Sequence, residues 1–140
     1  MNFCKTKLNR FLSMALFVVF AAALNSGCSE PVTSADRVTL VQARADHEAG
    51  KVMLVDIRET REHKTGVAAS AVLLPMSELG EKISLIPKDT DQTVLLICNT
   101  QNRSQATLKK LKQAGYENIR FVEGGMSQWA AQGWPMVAPR

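Results

Sequence analysis

The sequence predicts an α/β fold in which a central parallel sheet is flanked by helices on both faces. Short apolar runs alternate with segments of helical character across 140 residues, a length that fits one domain. The clearest run, Val94–Ile97, contains no polar residue, which is typical of a strand buried in a parallel sheet. Polar residues follow three of these runs, and such folds place their sites at the carboxyl ends of strands.

The elements in the first half of the domain are predicted from residues that typically begin or end helices and strands. Thr39 can cap a helix that extends to residue 49 and stops at Gly50. Three elements follow, a strand over 52–55, a short helix over 60–64 and a strand over 72–74. Ser77 is predicted to cap a helical segment that ends near residue 86.

The second half repeats the alternation. The strand over 94–97 leads into a polar loop and then a helix over 104–114 that stops at Gly115. A strand over 119–122, a turn at Gly124 and Gly125, and a helix over 126–132 complete the chain. The sequence shows no internal repeat and no low-complexity segment.

The amino-terminal segment has the composition of an export signal. Residues 1–10 carry three basic residues and no acid, and residues 11–24 are 14 residues without a charge, short for a helix that spans a bilayer. Residues 1–27 are therefore predicted to be a signal peptide, residues 28–36 a polar tether and residues 37–140 the folded domain. The alternative is cleavage by the ordinary signal peptidase after Ala23, with Ala21 at the −3 position.

The segment Asn25-Ser26-Gly27-Cys28 resembles the lipobox of bacterial lipoproteins. Cys28 would then become the lipid-modified first residue, with Asn25 at a position that usually holds leucine. Ser29 is similar to the pattern sent to the outer membrane. The resemblance implies a periplasmic protein that a lipid anchor alone attaches to the membrane.

Composition excludes several classes of function. Removal of residues 1–27 takes away three basic residues and no acids, so the net charge falls from +4 to +1 and no basic tract remains for a nucleic acid. No cluster has metal-ligand spacing, and no loop for a dinucleotide or other cofactor is present. Cys98 is the only cysteine left in the predicted domain, so a disulfide within the domain is excluded.

Cys98 is the strongest catalytic candidate. It ends the strand over 94–97, and the polar segment behind it leads to a helix whose N-terminus attracts anions. A thiolate is such an anion, so the placement favours a nucleophilic sulfur, with Arg103 as a fixed positive charge nearby. The alternative is an ordinary buried cysteine of the core, which is a common location for this residue type.

Three signatures occur in order and together resemble the rhodanese domain. The first is Asp56-Ile57-Arg58-Glu59-Thr60-Arg61-Glu62, followed by Gly66 and Pro75. The second is the loop from Cys98 to Arg103, and the third is Gly124-Gly125 with Trp129, Gly133 and Pro135. The match covers about residues 37–137, and exported single-domain members of the phage-shock periplasmic type are the most similar.

The resemblance implies a thiosulfate sulfurtransferase. Cys98 would take the sulfane sulfur of thiosulfate or a similar small donor as a persulfide and pass it to cyanide or a thiol acceptor. The persulfide would be held by the loop residues Asn99, Thr100, Gln101, Asn102, Arg103 and Ser104. Asp56, Arg58 and Glu62 would support the site, either as structural ion pairs or through substrate contacts. A protein partner is not predicted.

Loop length and departures from the pattern define the alternatives. Related tyrosine phosphatases and arsenate reductases have five residues between cysteine and arginine, and here there are four, which favours sulfur over phosphate. A module that binds a partner or an anion without catalysis is the alternative function. Gln101 replaces a common glycine and would be strained if the position required positive φ, while Val67 and Ser70 replace the usual His and Gly.

Overall fold

The computed structural model describes residues 31–89 and 91–140, so the predicted signal peptide and Cys28 lie outside the described residues. Five strands form one sheet in the order β1-β5-β4-β2-β3, and every pair is parallel. They are β1 (Arg37–Val38), β2 (Met53–Asp56), β3 (Val72–Leu73), β4 (Val94–Ile97) and β5 (Ile119–Val122). The predicted fold class is confirmed.

Five α-helices connect the strands: α1 (Leu40–Glu48), α2 (Thr60–His63), α3 (Leu79–Lys82), α4 (Asn102–Gln113) and α5 (Gly125–Ala131). Short 3-10 turns occupy Ser34–Asp36, Met76–Glu78 and Ile83–Leu85. Thr39 caps α1 as predicted, since its side chain accepts a hydrogen bond from the amide of Gln42. None of the helices in the described residues is long and apolar enough to cross a membrane.

The two faces of the sheet carry separate cores. Along β4, Val94 and Leu96 contribute to one core with α4, whereas Leu95 and Ile97 contribute to the other with α1 and α5. All four side chains are buried, which explains why β4 has no polar position. Cys98 continues the alternation and belongs to the core on the α4 side.

Several predicted boundaries are wrong. Strand β1 was not predicted, because two residues are too short to show an alternating pattern. Strand β2 lies one residue later than predicted, since Asp56 pairs in register with Ile97. The predicted tether is folded at its end, where buried Asp36 forms an ion pair with Lys112 of α4.

Ser77 does not cap a helix. It lies inside the 3-10 turn that follows Pro75, and its amide and hydroxyl donate to the carboxylate of Glu59 at 3.2 and 2.8 Å. The local sequence favoured a cap because serine is a common cap residue, but a carboxylate from a distant segment takes up both donors. The contact instead connects α2 to the segment after β3.

Ser70 is the one non-glycine residue with positive φ in the part of the chain that the structure describes. Its φ of 63° lies in the left-handed region, which costs a side-chain-bearing residue about 1–2 kcal/mol. The backbone therefore keeps a turn suited to glycine at this position, and the serine adopts it under strain.

Candidate active site

Cys98 lies immediately after β4 and is buried, with 1% of its surface exposed. Its Sγ is 3.5 Å from Oγ of Ser104, which is fully buried in the first turn of α4. The Ser104 hydroxyl also lies 2.9 Å from the carbonyl oxygen of Gln101 and donates to it. The thiol is therefore enclosed by the loop 98–104, which we call the cysteine loop.

The first residues of α5 form hydrogen bonds with the backbone of the cysteine loop. The amide of Met126 donates to the carbonyl of Cys98 at 2.8 Å, and the amide of Ser127 donates to that of Asn99 at 2.9 Å. Gly125 lies so close that a Cβ on it would be 2.6 Å from the Asn99 carbonyl oxygen and closer still to two other loop carbonyls. Only glycine fits this position, because the approach is tight and φ is +62°.

Among residues 31–89 and 91–140, none of the N–H groups of residues 99–104 donates a hydrogen bond. In a trans peptide the N–H points opposite to the carbonyl of the preceding residue. Because the carbonyls of Cys98 and Asn99 point to α5, the amides of Asn99 and Thr100 point away from it. Unbonded amides at a helix N-terminus form a site for an anion.

Arg103 closes the loop through an ion pair. Its Nη1 and Nη2 each lie 2.6 Å from an oxygen of Glu62, a two-pronged contact that fixes the orientation of both side chains. Hydrogen bonds from Arg103, together with one from the amide of Glu59, lower the pKa of Glu62 from 4.5 to about 2. The Glu62 hydrogen bonds raise the pKa of Arg103, and the charge of Cys98 acts in the same direction. The pair is therefore ionised at neutral pH.

A second, buried ion pair supports α2. The Nη2 of Arg58 is 2.6 Å from Asp56, and the Arg58 guanidinium also donates to the carbonyls of Glu62 and Gly66 at 3.4 and 2.8 Å. Asp56 and Arg58 are both almost fully buried, so they contact one another and the backbone rather than solvent. The geometry supports a structural role for the Asp56–Arg58 pair, because the pair positions the turn that carries Glu62.

His63 is buried against the same pair. Its Nε2 lies 3.5 Å from Asp56 Oδ1 and forms no hydrogen bond with the described residues. His63 also lines a surface cavity between α2 and the end of β3, together with Thr60, Leu73 and Pro75. It is a packing neighbour of the buried pair.

Gln101 is not strained. Its φ is −161°, which is extended backbone open to any residue, and its side-chain oxygen accepts a hydrogen bond from the amide of Gly124 at 3.2 Å. The helix that follows begins at Asn102 rather than at residue 104, because the carbonyl of Gln101 already accepts from the amide of Gln105. Arg103 and Ser104 therefore lie in the first turn of α4.

The predicted site residues fall into two groups. Cys98, the loop after it, Arg103 and Glu62 are connected by direct contacts, and Asp56 with Arg58 lies behind them. The contribution of α5 was missed. Gly125 and Met126 were predicted only as a turn and a helix, and no local pattern shows that their backbone contacts the cysteine loop.

A model of the rhodanese-like domain matches residues 39–132, most of the chain. The chain belongs to the rhodanese-like domain family. A sulfurtransferase of Allochromatium vinosum is 39% identical over 108 residues, which are 77% of this chain and 97% of that protein. A putative sulfurtransferase of Bacillus subtilis is 33% identical over 91 residues, 65% of this chain and 82% of that one.

Solved structures agree with this assignment. The crystal structure of a rhodanese-related protein from Thermoplasma volcanium superposes with a TM-score of 0.65 at 31% identity. The superposition covers 74% of this chain and 98% of that one. This rhodanese-like domain thus has the family's sheet, and Cys98 lies at the carboxyl edge of that sheet.

Proposed function

We propose that this rhodanese-like domain is a sulfurtransferase that carries sulfane sulfur on Cys98. The Cys98 thiolate attacks the outer sulfur of a donor such as thiosulfate, the sulfur–sulfur bond of the donor breaks, and sulfite leaves with the electron pair. Cys98 is left as a persulfide. Cyanide or a thiol acceptor then attacks the terminal sulfur, takes it and releases the thiolate of Cys98.

One observation carries the proposal: among the described residues, the six amides of residues 99–104 form no hydrogen bond, and they lie between the only cysteine and the first turn of α4. The terminal sulfur of a persulfide is anionic, as is the donor, and amides fixed before the reaction stabilise such charge without rearranging. The relatives named sulfurtransferase support the same reaction class. A cysteine that served only the core would not need a loop of free donors.

The proposal is tested by replacing Cys98 with serine, which is close in size but carries no sulfane sulfur. Cys98→Ser is expected to abolish thiosulfate:cyanide transfer while the thermal unfolding midpoint stays close to that of the wild type. Thr107→Ser, a change at another buried position of α4, serves as the control and should retain transfer. Turnover by Cys98→Ser would contradict the assignment. Absence of turnover in the wild type with any donor would favour a module that binds without catalysis.

We also propose that the mature protein is anchored to the periplasmic side of a membrane through Cys28. Strand β1 begins at Arg37, so the segment that precedes it enters at the amino edge of the sheet. Cys98 follows the carboxyl end of β4, at the opposite edge, because the two strands run parallel through β5. An anchor before β1 would therefore be attached at the edge of the sheet opposite to Cys98.

Labelling of cells with a fatty-acid analogue tests the anchor. The label should appear on the wild type and not on Cys28→Ala, and Cys4→Ala should be labelled like the wild type. A wild-type protein that is recovered from periplasmic extract with Leu24 as its first residue would show that the ordinary signal peptidase cleaves after Ala23.

A further inference from the structure

The hydroxyl group of Ser104 lies beside the sulfur atom of Cys98. Its Oγ is 3.5 Å from the Cys98 Sγ, and both residues are buried, with Ser104 at 0% exposure. Because a hydroxyl in this position is removed from solvent, it depends on partners within the protein. Its role rests on the proposed sulfurtransferase activity, in which Cys98 alternates between a thiolate and a persulfide.

The Ser104 hydroxyl carries one proton and has two acceptors within reach. In the structure it lies 2.9 Å from the carbonyl oxygen of Gln101 and donates to it. A protonated Cys98 can in turn donate its S–H to the Ser104 Oγ, which makes a chain of two hydrogen bonds. Ionisation of Cys98 removes the S–H donor and leaves the sulfur as an acceptor. The hydroxyl can then rotate and donate to the thiolate.

This rotation does not leave the Gln101 carbonyl unsatisfied. The carbonyl also accepts a hydrogen bond from the amide of Gln105, at 2.9 Å. The hydroxyl therefore exchanges a bond to a neutral oxygen, which keeps its backbone partner, for a bond to a charged sulfur. Hydrogen bonds to ionised groups are about twice as strong as neutral ones. The exchange favours the thiolate over both the thiol and the persulfide, in which Sγ carries no charge.

We infer that Ser104 is the hydrogen-bond donor to the Cys98 thiolate and stabilises this thiolate as the leaving group when sulfur is discharged. In discharge, the acceptor bonds to the terminal sulfur, the bond between that sulfur and Sγ breaks, and Sγ leaves with the electron pair. Negative charge thus develops on the atom that the hydroxyl faces. The transfer requires no oxidant or reductant.

The two half-reactions should respond differently to this hydrogen bond. A stabilised thiolate is a better leaving group, so discharge gains from the Ser104 hydroxyl. In loading, the same bond enlarges the ionised fraction of Cys98 but makes each thiolate somewhat less nucleophilic. Loss of the hydroxyl should therefore slow discharge at every pH, and slow loading only where Cys98 is partly protonated. A purely structural contribution would slow both half-reactions alike.

The first test measures ionisation of Cys98 without any sulfur donor. The rate of alkylation by iodoacetamide is followed against pH in the wild type and in Ser104→Ala, which retains the charges of Arg103, Glu62 and the buried ion pair at the end of β2. The midpoint of the profile should rise by about one pH unit, which makes alkylation about 10-fold slower below the wild-type midpoint. Thr107→Val removes a hydroxyl from another buried position of α4 and should keep the wild-type profile.

The second test separates the half-reactions by rapid quenching and mass spectrometry of the intact protein. Loading from thiosulfate is measured above the alkylation midpoints of both proteins, and discharge to cyanide is measured on preloaded protein. In Ser104→Ala, discharge should be about 10-fold slower, while loading should stay within about 2-fold of the wild type. Ser104→Thr keeps a hydroxyl at this position and should recover most of the discharge rate and of the alkylation profile.

A raised alkylation midpoint together with a selective loss of discharge in Ser104→Ala would support the inference. An unchanged midpoint, equal slowing of loading and discharge, or identical profiles in Ser104→Ala and Ser104→Thr would overturn it and leave the sulfurtransferase proposal standing. A wild-type protein that gains no sulfur would instead overturn the sulfurtransferase proposal, and with it the role of Ser104 in discharge.

Discussion

The ion pair between Arg103 and Glu62 is a contact between two side chains that affects the cysteine loop. Arg103 lies in the first turn of α4 and Glu62 lies in α2. The pair therefore connects the cysteine loop to α2, the helix between β2 and β3. Because Arg103 contacts the Glu62 carboxylate, we expect it to hold the cysteine loop rather than to bind the donor. Its loss should therefore affect both steps of sulfur transfer.

Arg103→Ala should slow both loading of Cys98 and discharge to the acceptor. A lost charge-assisted contact costs about 1.5–3 kcal/mol, which corresponds to about 10- to 150-fold in rate. Arg103→Lys should recover only part of this, since an ammonium cannot form the planar two-pronged contact. Arg120→Ala, at an exposed position of β5, is the control for loss of an arginine. A defect confined to loading would mean that Arg103 serves the donor.

The same pair should give the fold a measurable pH dependence. The folded-state pKa of Glu62 is about 2, below the ordinary 4.5, so the ionised carboxylate stabilises the folded state. This contribution is complete above about pH 4.5 and is lost as pH falls towards about 2. Between about pH 5 and pH 3, the free energy of unfolding should fall less in Glu62→Gln than in the wild type. Equal losses in urea titrations would contradict this assignment.

At the level of elements, the contact between α5 and the cysteine loop fixes the shape of the site. Two amides of α5 donate to loop carbonyls, and Gly125 permits the close approach. The carbonyls of Cys98 and Asn99 accept hydrogen bonds from amides of α5, so the amides of the loop point away from α5 and stay unbonded. A change at the start of α5 should therefore act on catalysis from outside the loop.

Gly125→Ala should displace the cysteine loop, because the new Cβ would overlap the carbonyls of Cys98 and Thr100. A displacement near 1 Å costs on the order of 100-fold in rate, so loading of Cys98 should fall by about that factor. Gly80→Ala is the matched control, since nothing lies within 4 Å of its added Cβ and its φ is ordinary. It should load normally and gain up to about 1 kcal/mol of stability as a helical residue. Similar kinetics in the two variants would rule out the proposed role of the contact.

The turn before β3 offers a test of backbone strain. Ser70→Gly should stabilise the fold by about 0.5–1 kcal/mol, because relief of about 1–2 kcal/mol of strain exceeds the entropy that glycine adds to the unfolded chain. Ser84→Gly, at an exposed position in the turn Ile83–Leu85, has no such strain and should lower stability slightly. Chemical denaturation of both variants measures the difference, and equal effects would refute it.

For the whole molecule, the sequence was sufficient to predict the architecture. Apolar runs such as Val94–Ile97 require burial on both faces, and short connections rich in caps require helices between parallel strands. That topology alone brings Asp56 and Cys98 to one edge, since each follows or ends a parallel strand of the same sheet. The number of residues between Cys98 and Arg103 could also be read directly from the sequence.

Other features depend on contacts between distant segments. Ser77 was predicted as a cap because its own neighbours allow it, whereas Glu59 from α2 determines what it does. The partner of Arg103 was not predictable from the sequence. Its two-pronged contact with Glu62 depends on the orientation of α2, which the buried Asp56–Arg58 pair supports. Local patterns specify elements, and packing between elements specifies the site.

Sulfur loading of Cys98 is the step on which the proposed sulfurtransferase activity depends. The purified wild-type domain is treated with a sulfane-sulfur donor, and its intact mass and peptide masses are measured before and after addition of cyanide. We expect a gain of one sulfur atom on the peptide that contains Cys98, its removal by cyanide, and no gain in Cys98→Ser. A wild-type protein that gains no sulfur from thiosulfate or persulfide, or gains it at another residue, would show that Cys98 is not the sulfur carrier.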